Sequence, residues 1–172
     1  MNNKIQNSFS FPQLHVCAAA ELPRHAGKGV THLLSIDAPE FPAATPSWFS
    51  GIHKHVFFLD VTDAVNANAP NIADIRKILR LGRDCLLHSR KAETHLLIHC
   101  AAGTSRSPAA AYAILCLWLG KGCENEAMER LLRIRPDIFP NRLVIEYADR
   151  ILHRGGRMLN AIRRAMGTGK KK

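Results

Sequence analysis

The sequence predicts an α/β domain in which a mostly parallel central sheet is flanked by helices, followed by a helical C-terminal third. Two patterns support this prediction. Through the first two thirds of the chain, short apolar runs of strand length alternate with segments of helical periodicity, whereas the last third contains helical patterns only. Apolar residues make up 47% of the 172 residues and charged residues 22%, so the chain can bury a sizeable core. We expect helices on both faces of the sheet.

Four short apolar runs are predicted to be strands, because turn-forming residues or loops bound them. They span residues 14–17, 30–36, 55–59 and 94–98. Between the second and third runs, the proline-rich residues 37–51 are predicted to form a long loop that contains Trp48 and Phe49. Two interpretations of this aromatic pair stay open: the wall of a substrate pocket, or a hydrophobic lid over the core.

Five segments have helical patterns. Residues 107–119 are apolar almost all round, which indicates a central buried helix. The other four have apolar residues on one face, and Asn141 is placed to cap the fourth. The predicted helices span residues 71–90, 107–119, 124–133, 142–152 and 158–166.

The sequence contains no pattern of metal ligands. Its five cysteines are odd in number and lack C-x-x-C spacing, so neither a disulfide framework nor a zinc site is indicated. His53 and His55 lie on one face of a strand, but no cysteine or carboxylate accompanies them at ligand spacing. We therefore predict that both are exposed strand residues.

The chain-level features predict a cytoplasmic protein. No apolar run approaches transmembrane length. Residues 1–12 are polar and interrupted, without the continuous apolar stretch of a signal peptide. We expect a loose N-terminal lead-in over residues 1–12, one domain over residues 13–166 and a basic tail over residues 167–172.

Positive charge is concentrated at the C-terminal end. The net charge is +10, and the last 23 residues contain eight Lys or Arg residues and no acidic residue. Such a segment could contact nucleic acid, an anionic membrane or an acidic protein. No aromatic residue is interleaved with these charges, which argues against single-stranded nucleic acid. We favour a solvated helix face that ends in the basic tail.

The stretch from His99 to Ser107 combines a nucleophile with an anion-binding loop. It follows a predicted strand and precedes a helix that has Pro108 in its first turn. A loop of small residues can turn its N–H groups inward, Gly103 allows an unusual backbone conformation, and a helix N-terminus adds its positive dipole. Arg106 can grip two phosphate oxygens, and the same positive field favours a thiolate at Cys100. A thiolate beneath a bound phosphate is placed to attack phosphorus.

This stretch resembles the signature of the cysteine-dependent protein tyrosine phosphatases. The match consists of His99-Cys100, five residues, and Arg106-Ser107. The chain length and the Ser-Arg-Ser ending resemble the small dual-specificity branch. Residues 57–61, 135–141 and 147–150 are similar to a bacterial group of tyrosine-phosphatase-like proteins. The resemblance covers residues 30–160.

The resemblance implies a phosphomonoester hydrolase, a protein tyrosine or dual-specificity phosphatase, with the phosphatase domain over residues 13–166. Cys100 would form a cysteinyl phosphate, and Ser107 would help the sulfur to leave. His99 would support the loop backbone. The residues expected to bind the phosphate are Ala101, Ala102, Gly103, Thr104, Ser105 and Arg106. Because Arg106 and the N–H groups supply positive charge, no metal or other cofactor is required.

The resemblance also implies a general acid on the loop after the strand that precedes the signature strand. One carboxyl group there can protonate the leaving oxygen and later deprotonate water. Asp60 and Asp63 are the two candidates. We favour Asp60, since it lies at the predicted end of its strand, and keep Asp63 as the alternative, with a turn-forming role for the other residue.

The expected substrates are a phosphorylated protein or a small phosphomonoester. The loop interior, residues 101–105, contains no lysine, which disfavours inositol lipids. An alternative function from another class is a catalytically weak phosphate-binding interaction domain whose basic C-terminal segment contacts an acidic partner. An intact Cys100 favours the enzyme, since a binding domain needs no nucleophile.

Overall fold

A computed structural model describes residues 11–167 of the chain. The predictions for residues 1–10 of the lead-in and 168–172 of the basic tail lie outside the described residues. No helix in the described part is long and apolar enough to cross a membrane.

Within residues 11–167 the sheet has four strands, and every neighbouring pair is parallel. Their order across the sheet is β1-β4-β2-β3, which confirms the predicted parallel α/β architecture. The strands are β1 (Gln13–Ala18), β2 (His32–Asp37), β3 (Ile52–Phe57) and β4 (His95–Cys100). Cys100 pairs with Ala18 of β1 and with Ile36 of β2, so the carboxyl ends of these three strands meet at one edge.

All four strands end one or two residues away from their predicted ends, and the differences are largest for β3 and β4. β4 continues to Cys100 because its pairing with β1 and β2 continues beyond the apolar run. β3 begins and ends earlier than predicted, with its last residue at Phe57. Phe58 N still donates to Asp37 O (3.0 Å), but Leu59 N turns away to Asn68 O (2.8 Å). Asp60 therefore lies on a loop, three residues beyond the strand.

The five predicted α-helices are all present, with ends that differ from the prediction by at most two residues. They are α1 (Ile72–His88), α2 (Arg106–Leu119), α3 (Glu124–Ile134), α4 (Arg142–Ile151) and α5 (Arg157–Gly167). A short 3-10 helix, Ala19–His25, was not predicted, since its turn-forming sequence resembles a loop.

The two faces of the sheet are covered differently. All five α-helices contribute to one large core against the first face, and α2 lies at its centre. The second face is covered by the 3-10 helix and residues 38–51 instead of the α-helices we expected, because the segments that connect β1 to β2 and β2 to β3 contain no α-helix. Phe49 and Trp48 pack with Leu33 and Leu97 in this smaller core. This packing favours the lid interpretation of the aromatic pair.

One of the C-terminal basic residues belongs to the core. Arg154, expected on a solvated face, is buried, and its Nη2 donates to Cys116 O (2.8 Å). Its Nη1 lies 3.6 Å from the buried Glu124 carboxylate, which also faces Arg157. The prediction of a solvated face was therefore wrong for Arg154, because a buried carboxylate at the start of α3 compensates its charge.

Candidate active site

The loop from Cys100 to Arg106, which we call the cysteine loop, connects the end of β4 to the start of α2. Cys100 is buried. Its Sγ atom lies 3.1 Å from Ser107 Oγ and accepts a hydrogen bond from Gly103 N at 3.3 Å. Both groups can stabilise negative charge on the sulfur by donating to it. The strand–loop–helix order expected from the sequence is thus present around the nucleophile candidate.

Three carbonyl groups of the cysteine loop accept hydrogen bonds from outside the loop. The bonds are Ala19 N to Ala101 O (3.2 Å), Phe139 N to Thr104 O (2.8 Å) and Asn141 N to Ser105 O (3.3 Å). In a trans peptide, a carbonyl and the N–H of the next residue point in opposite directions. No cis peptide occurs among the described residues. The N–H groups of Ala102, Ser105 and Arg106 therefore point toward the inside of the loop, as in an anion-binding nest.

Gly103 allows the loop to pack against the end of β1. Its φ is 69°, a left-handed conformation that side chains disfavour. A Cβ atom there would lie 2.5 Å from Ala18 N and 2.6 Å from the carbonyl carbon of Cys17. Both the backbone angle and this close approach therefore require glycine.

Arg106 is buried beside the loop, and its guanidinium group is only partly satisfied. Nη1 donates to Phe58 O at 3.1 Å, which ties it to the chain leaving β3. Nε is buried and has no partner among the described residues. A buried donor without a partner is costly, so this N–H is suited to an incoming oxygen.

The two acid candidates have different surroundings. Asp60 Oδ1 accepts a hydrogen bond from Ser105 Oγ at 2.7 Å, which brings this carboxylate against the cysteine loop. Asp63 is exposed, and its Oδ1 accepts from Val65 N at 3.0 Å within a local turn. Asp60 thus contacts the cysteine loop, whereas Asp63 stabilises a local turn.

The segment of residues 135–141 holds the cysteine loop from the other side. Arg135 Nη1 lies 2.8 Å from Glu21 Oε2 in the 3-10 helix. Glu21 also accepts from Ala18 N (2.7 Å). This backbone hydrogen bond, together with Arg135, holds the pKa of the Glu21 carboxyl below its usual value. The sequence singled out this segment by its similarity to tyrosine-phosphatase-like proteins and by the cap Asn141, but it did not indicate these contacts with the loop.

His99 begins a line of hydrogen-bonded side chains across the second face of the sheet, which we call the histidine chain. His99 Nε2 contacts Ser35 Oγ, which lies 2.7 Å from His53 Nε2. His53 Nδ1 lies 2.8 Å from Thr45 Oγ1. His53 is thus half-buried and bonded at both nitrogens, contrary to the predicted exposed residue. The alternation correctly put His53 on the same face as His55, but the covering loop could not be foreseen.

Burial is the largest influence on the pKa values of His53 and His99 in the histidine chain. Burial, together with the neighbouring His55 and His99, lowers the pKa of His53 to about 4. Burial also lowers the pKa of His99. Both imidazoles are therefore neutral at pH 7. No group of three or more potential metal ligands is clustered within residues 11–167.

No protein-family model matches the sequence, and no curated protein does. Solved structures resemble it over most of its length. DUSP15 has a TM-score of 0.63 at 18% identity, covering 91% of this chain and 92% of that chain. Human DUSP28 has a TM-score of 0.64 at 17% identity, covering 83% and 92%. PTPMT1 in complex with PI(5)P has a TM-score of 0.59 at 16% identity, covering 89% and 94%.

The chain has the protein tyrosine phosphatase fold. The similarity to the small dual-specificity branch that the sequence indicated is confirmed at the level of this fold. In the tyrosine phosphatase fold of this chain, the cysteine loop lies where β4 meets α2, and the Asp60 carboxylate approaches it from the chain beyond β3.

The histidine chain predicts how stability depends on pH. In the unfolded chain His53 titrates near its ordinary value of 6.5, whereas in the fold its pKa is about 4. Between these values the unfolded state binds a proton that the folded state does not, so stability falls as the pH falls. We expect His53→Gln to reduce this fall, measured as urea-unfolding free energy at pH 7.5 and 5.0. His153→Asn, at an exposed position, is the control; an unchanged pH slope in His53→Gln would contradict the assignment.

Proposed function

We propose that this protein is a phosphomonoester hydrolase, a protein tyrosine or dual-specificity phosphatase that acts through a cysteinyl phosphate. The observation that carries the proposal is the buried Cys100 Sγ with Ser107 Oγ at 3.1 Å and Gly103 N at 3.3 Å, in a loop whose N–H groups point inward. The partnerless Nε of Arg106 supports a phosphate site at the same loop.

In the first step, the Cys100 thiolate attacks phosphorus. The S–P bond forms while the P–O bond to the leaving group breaks, and Asp60 gives its proton to the departing oxygen. The inward N–H groups and Arg106 bind the three equatorial oxygens, where charge must be stabilised. The positive charge that stabilises these oxygens therefore comes from Arg106 and the N–H groups of the protein.

In the second step, a water molecule attacks the cysteinyl phosphate. Asp60, now ionised, accepts a proton from this water as the new P–O bond forms and the S–P bond breaks. The sulfur leaves as a thiolate, and the Ser107 hydroxyl, 3.1 Å away, is positioned to donate to it. The products are inorganic phosphate and the regenerated enzyme.

The surroundings of the loop favour an aromatic phosphate. Phe139 N donates to Thr104 O at 2.8 Å, so Phe139 lies directly beside the cysteine loop. The residue is 77% exposed, and we infer that its ring contacts an aryl leaving group such as that of phosphotyrosine. No lysine lies within residues 101–105 to favour an inositol lipid. A phosphorylated protein or a small aryl phosphate is the substrate class that we propose.

The cysteines support a reducing location such as the cytoplasm. All five are free thiols in the structure. An oxidising compartment would expose a thiolate nucleophile to irreversible oxidation.

The first test is hydrolysis of 4-nitrophenyl phosphate by the purified protein with reductant and a metal chelator. We expect turnover by the wild type and none by Cys100→Ser, because the hydroxyl is a far weaker nucleophile than the thiolate. The variant should still bind tungstate, since the loop and Arg106 are intact.

Cys116→Ser is the matched control, since Cys116 is a buried thiol in α2 away from the loop. It should keep its activity. Wild-type binding of tungstate without turnover would instead identify a phosphate-binding interaction domain. Activity that persists in Cys100→Ser would contradict the mechanism.

The second test distinguishes the two acid candidates. Asp60→Asn should lower kcat/KM for phenyl phosphate, a poor leaving group, by about 10²–10⁴-fold. It should change kcat/KM for 2,4-dinitrophenyl phosphate little, because that phenolate leaves without a proton. Asp63→Asn preserves its local turn and should behave as the wild type. The reverse pattern would assign the acid to Asp63.

A further inference from the structure

The three most exposed of the large apolar residues lie at the same edge of the sheet as the cysteine loop. Among residues 11–167 they are Val65 (90% exposed), Phe41 (78%) and Phe139 (77%). Phe41 follows β2, Val65 follows β3, and Phe139 N donates to Thr104 O of the cysteine loop. Large apolar residues that stay exposed around one site indicate a surface that another molecule covers.

Phe41 is held on a short turn beside the end of β4. Ile36 of β2 pairs with Cys100, and β2 ends one residue later at Asp37. Phe41 N donates to Ala38 O at 3.1 Å, which closes the turn directly after the strand. Since neighbouring strands lie about 5 Å apart, this turn begins next to the cysteine loop and at the same level of the sheet.

Val65 lies on the loop that carries Asp60. Its N–H donates to Asp63 Oδ1 at 3.0 Å, so a local turn fixes its backbone. The same loop is bound to the cysteine loop, because Ser105 Oγ donates to Asp60. Since β3 pairs with β2 on the side away from β4, Val65 and Phe41 lie on neighbouring loops at one side of the phosphate site.

These two loops contain acidic residues and no Lys or Arg, although the whole chain has a net charge of +10. Residues 38–51 contain the exposed Glu40, and residues 58–71 contain Asp60 and the exposed Asp63. Once a bound phosphate has neutralised the charge of the cysteine loop, the surrounding surface on this side attracts cations and repels anions.

The other side of the cysteine loop does not reverse this charge. Arg135 lies 2.8 Å from Glu21, and Arg24 lies 4.0 Å from the same carboxylate. The exposed Asp137 balances the second arginine. Residues 19–25 and 135–141 therefore add no net charge at pH 7 when His25 is neutral, and burial lowers the pKa of His25.

We propose that Phe41 and Val65 are specificity-determining residues that bind apolar side chains next to a phosphotyrosine, in a polypeptide whose nearby charged residues are Lys or Arg. This inference rests on the proposed function as a phosphatase and narrows its substrate class. Acidic neighbours of the phosphotyrosine would meet Glu40 and Asp63 without a basic partner. A membrane of anionic phosphoinositides is disfavoured for the same reason.

The test uses four phosphotyrosine peptides of one length. They differ only in the residues on both sides of the phosphotyrosine, which are Leu, Arg, Glu or Ser. The kcat/KM of each peptide is divided by that of phenyl phosphate, which has no neighbouring residues, so that changes in the chemical step cancel in the ratio.

We expect the Leu and Arg peptides to be better substrates than the Ser peptide. The Arg peptide should exceed the Glu peptide by about 10-fold at low ionic strength, as several exposed charge pairs together can produce. This difference should shrink in about 0.5 M sodium chloride, because salt screens exposed charges, whereas the preference for Leu should persist.

Phe41→Ser and Val65→Ser should each lower the ratio for the Leu peptide by about 3–10-fold, because an apolar contact is lost. The double variant Glu40→Gln with Asp63→Asn should bring the Arg and Glu peptides within about 2-fold of each other. Leu87→Ser is the matched control. Leu87 is also exposed, but it lies at the end of α1 that leads to the amino end of β4, so its substitution should change no ratio.

Three results would overturn the inference: a Glu peptide that is the best substrate, ratios that do not depend on the neighbouring residues, and ratios that are unchanged in both Phe41→Ser and Val65→Ser. A higher kcat/KM for phosphatidylcholine vesicles containing a phosphatidylinositol monophosphate than for every peptide would also overturn it. If phenyl phosphate and all peptides stay intact, the proposed function fails and the inference with it. If phenyl phosphate is hydrolysed but the ratios do not behave as expected, only the inference fails.

Discussion

The path of the backbone from Cys100 to Arg106 is the constraint on which the rest of the site depends. Outward-facing carbonyls and inward-facing N–H groups are two sides of the same peptide planes, so neighbours that bind the carbonyls also orient the donors. Those neighbours come from the 3-10 helix and from the segment of residues 135–141. Gly103 permits the close approach to β1, where any Cβ atom would collide with main-chain atoms. The sheet and helices thus build the anion site from ordinary backbone groups.

Several hydrogen bonds join the acid candidate Asp60 to the cysteine loop. Asp60 is bonded to Ser105 of the loop and to Asn141, which is itself bonded to Ser105 O. Arg106 is bonded to Phe58 O, on the same stretch of chain that carries Asp60. Movement of either loop must therefore break several hydrogen bonds together. This arrangement suits a reaction in which one carboxyl group works in two successive steps.

Prediction from sequence succeeded where the signal was local. Apolar runs revealed all four strands, helical periodicity located the five α-helices, and the spacing from Cys100 to Arg106 identified the loop. The 3-10 helix was not predicted, because its sequence is rich in turn-forming residues and contains Pro23.

Contacts distant in sequence could not be foreseen. Asn141 and Asp60 are 81 residues apart, and a capping asparagine has the same sequence signature whether or not its amide reaches a carboxylate. Arg154 illustrates the same point, because its buried partner Glu124 lies on another helix. His53 was correctly put on the same face as His55, but its exposure depends on the loop of residues 38–51. Periodicity shows which residues share one face of a helix or strand, but the residues that this face contacts depend on tertiary packing.

The most direct test of the central claim is to trap the intermediate. Wild-type protein and Ser107→Ala would be mixed with an aryl phosphate, denatured rapidly during turnover and mapped by peptide mass spectrometry. We predict a single phosphoryl group on Cys100, in a larger fraction of Ser107→Ala, because loss of the hydroxyl slows departure of the sulfur. Turnover without a phosphorylated Cys100, or a phosphoryl group on another residue such as the adjacent His99, would contradict the account.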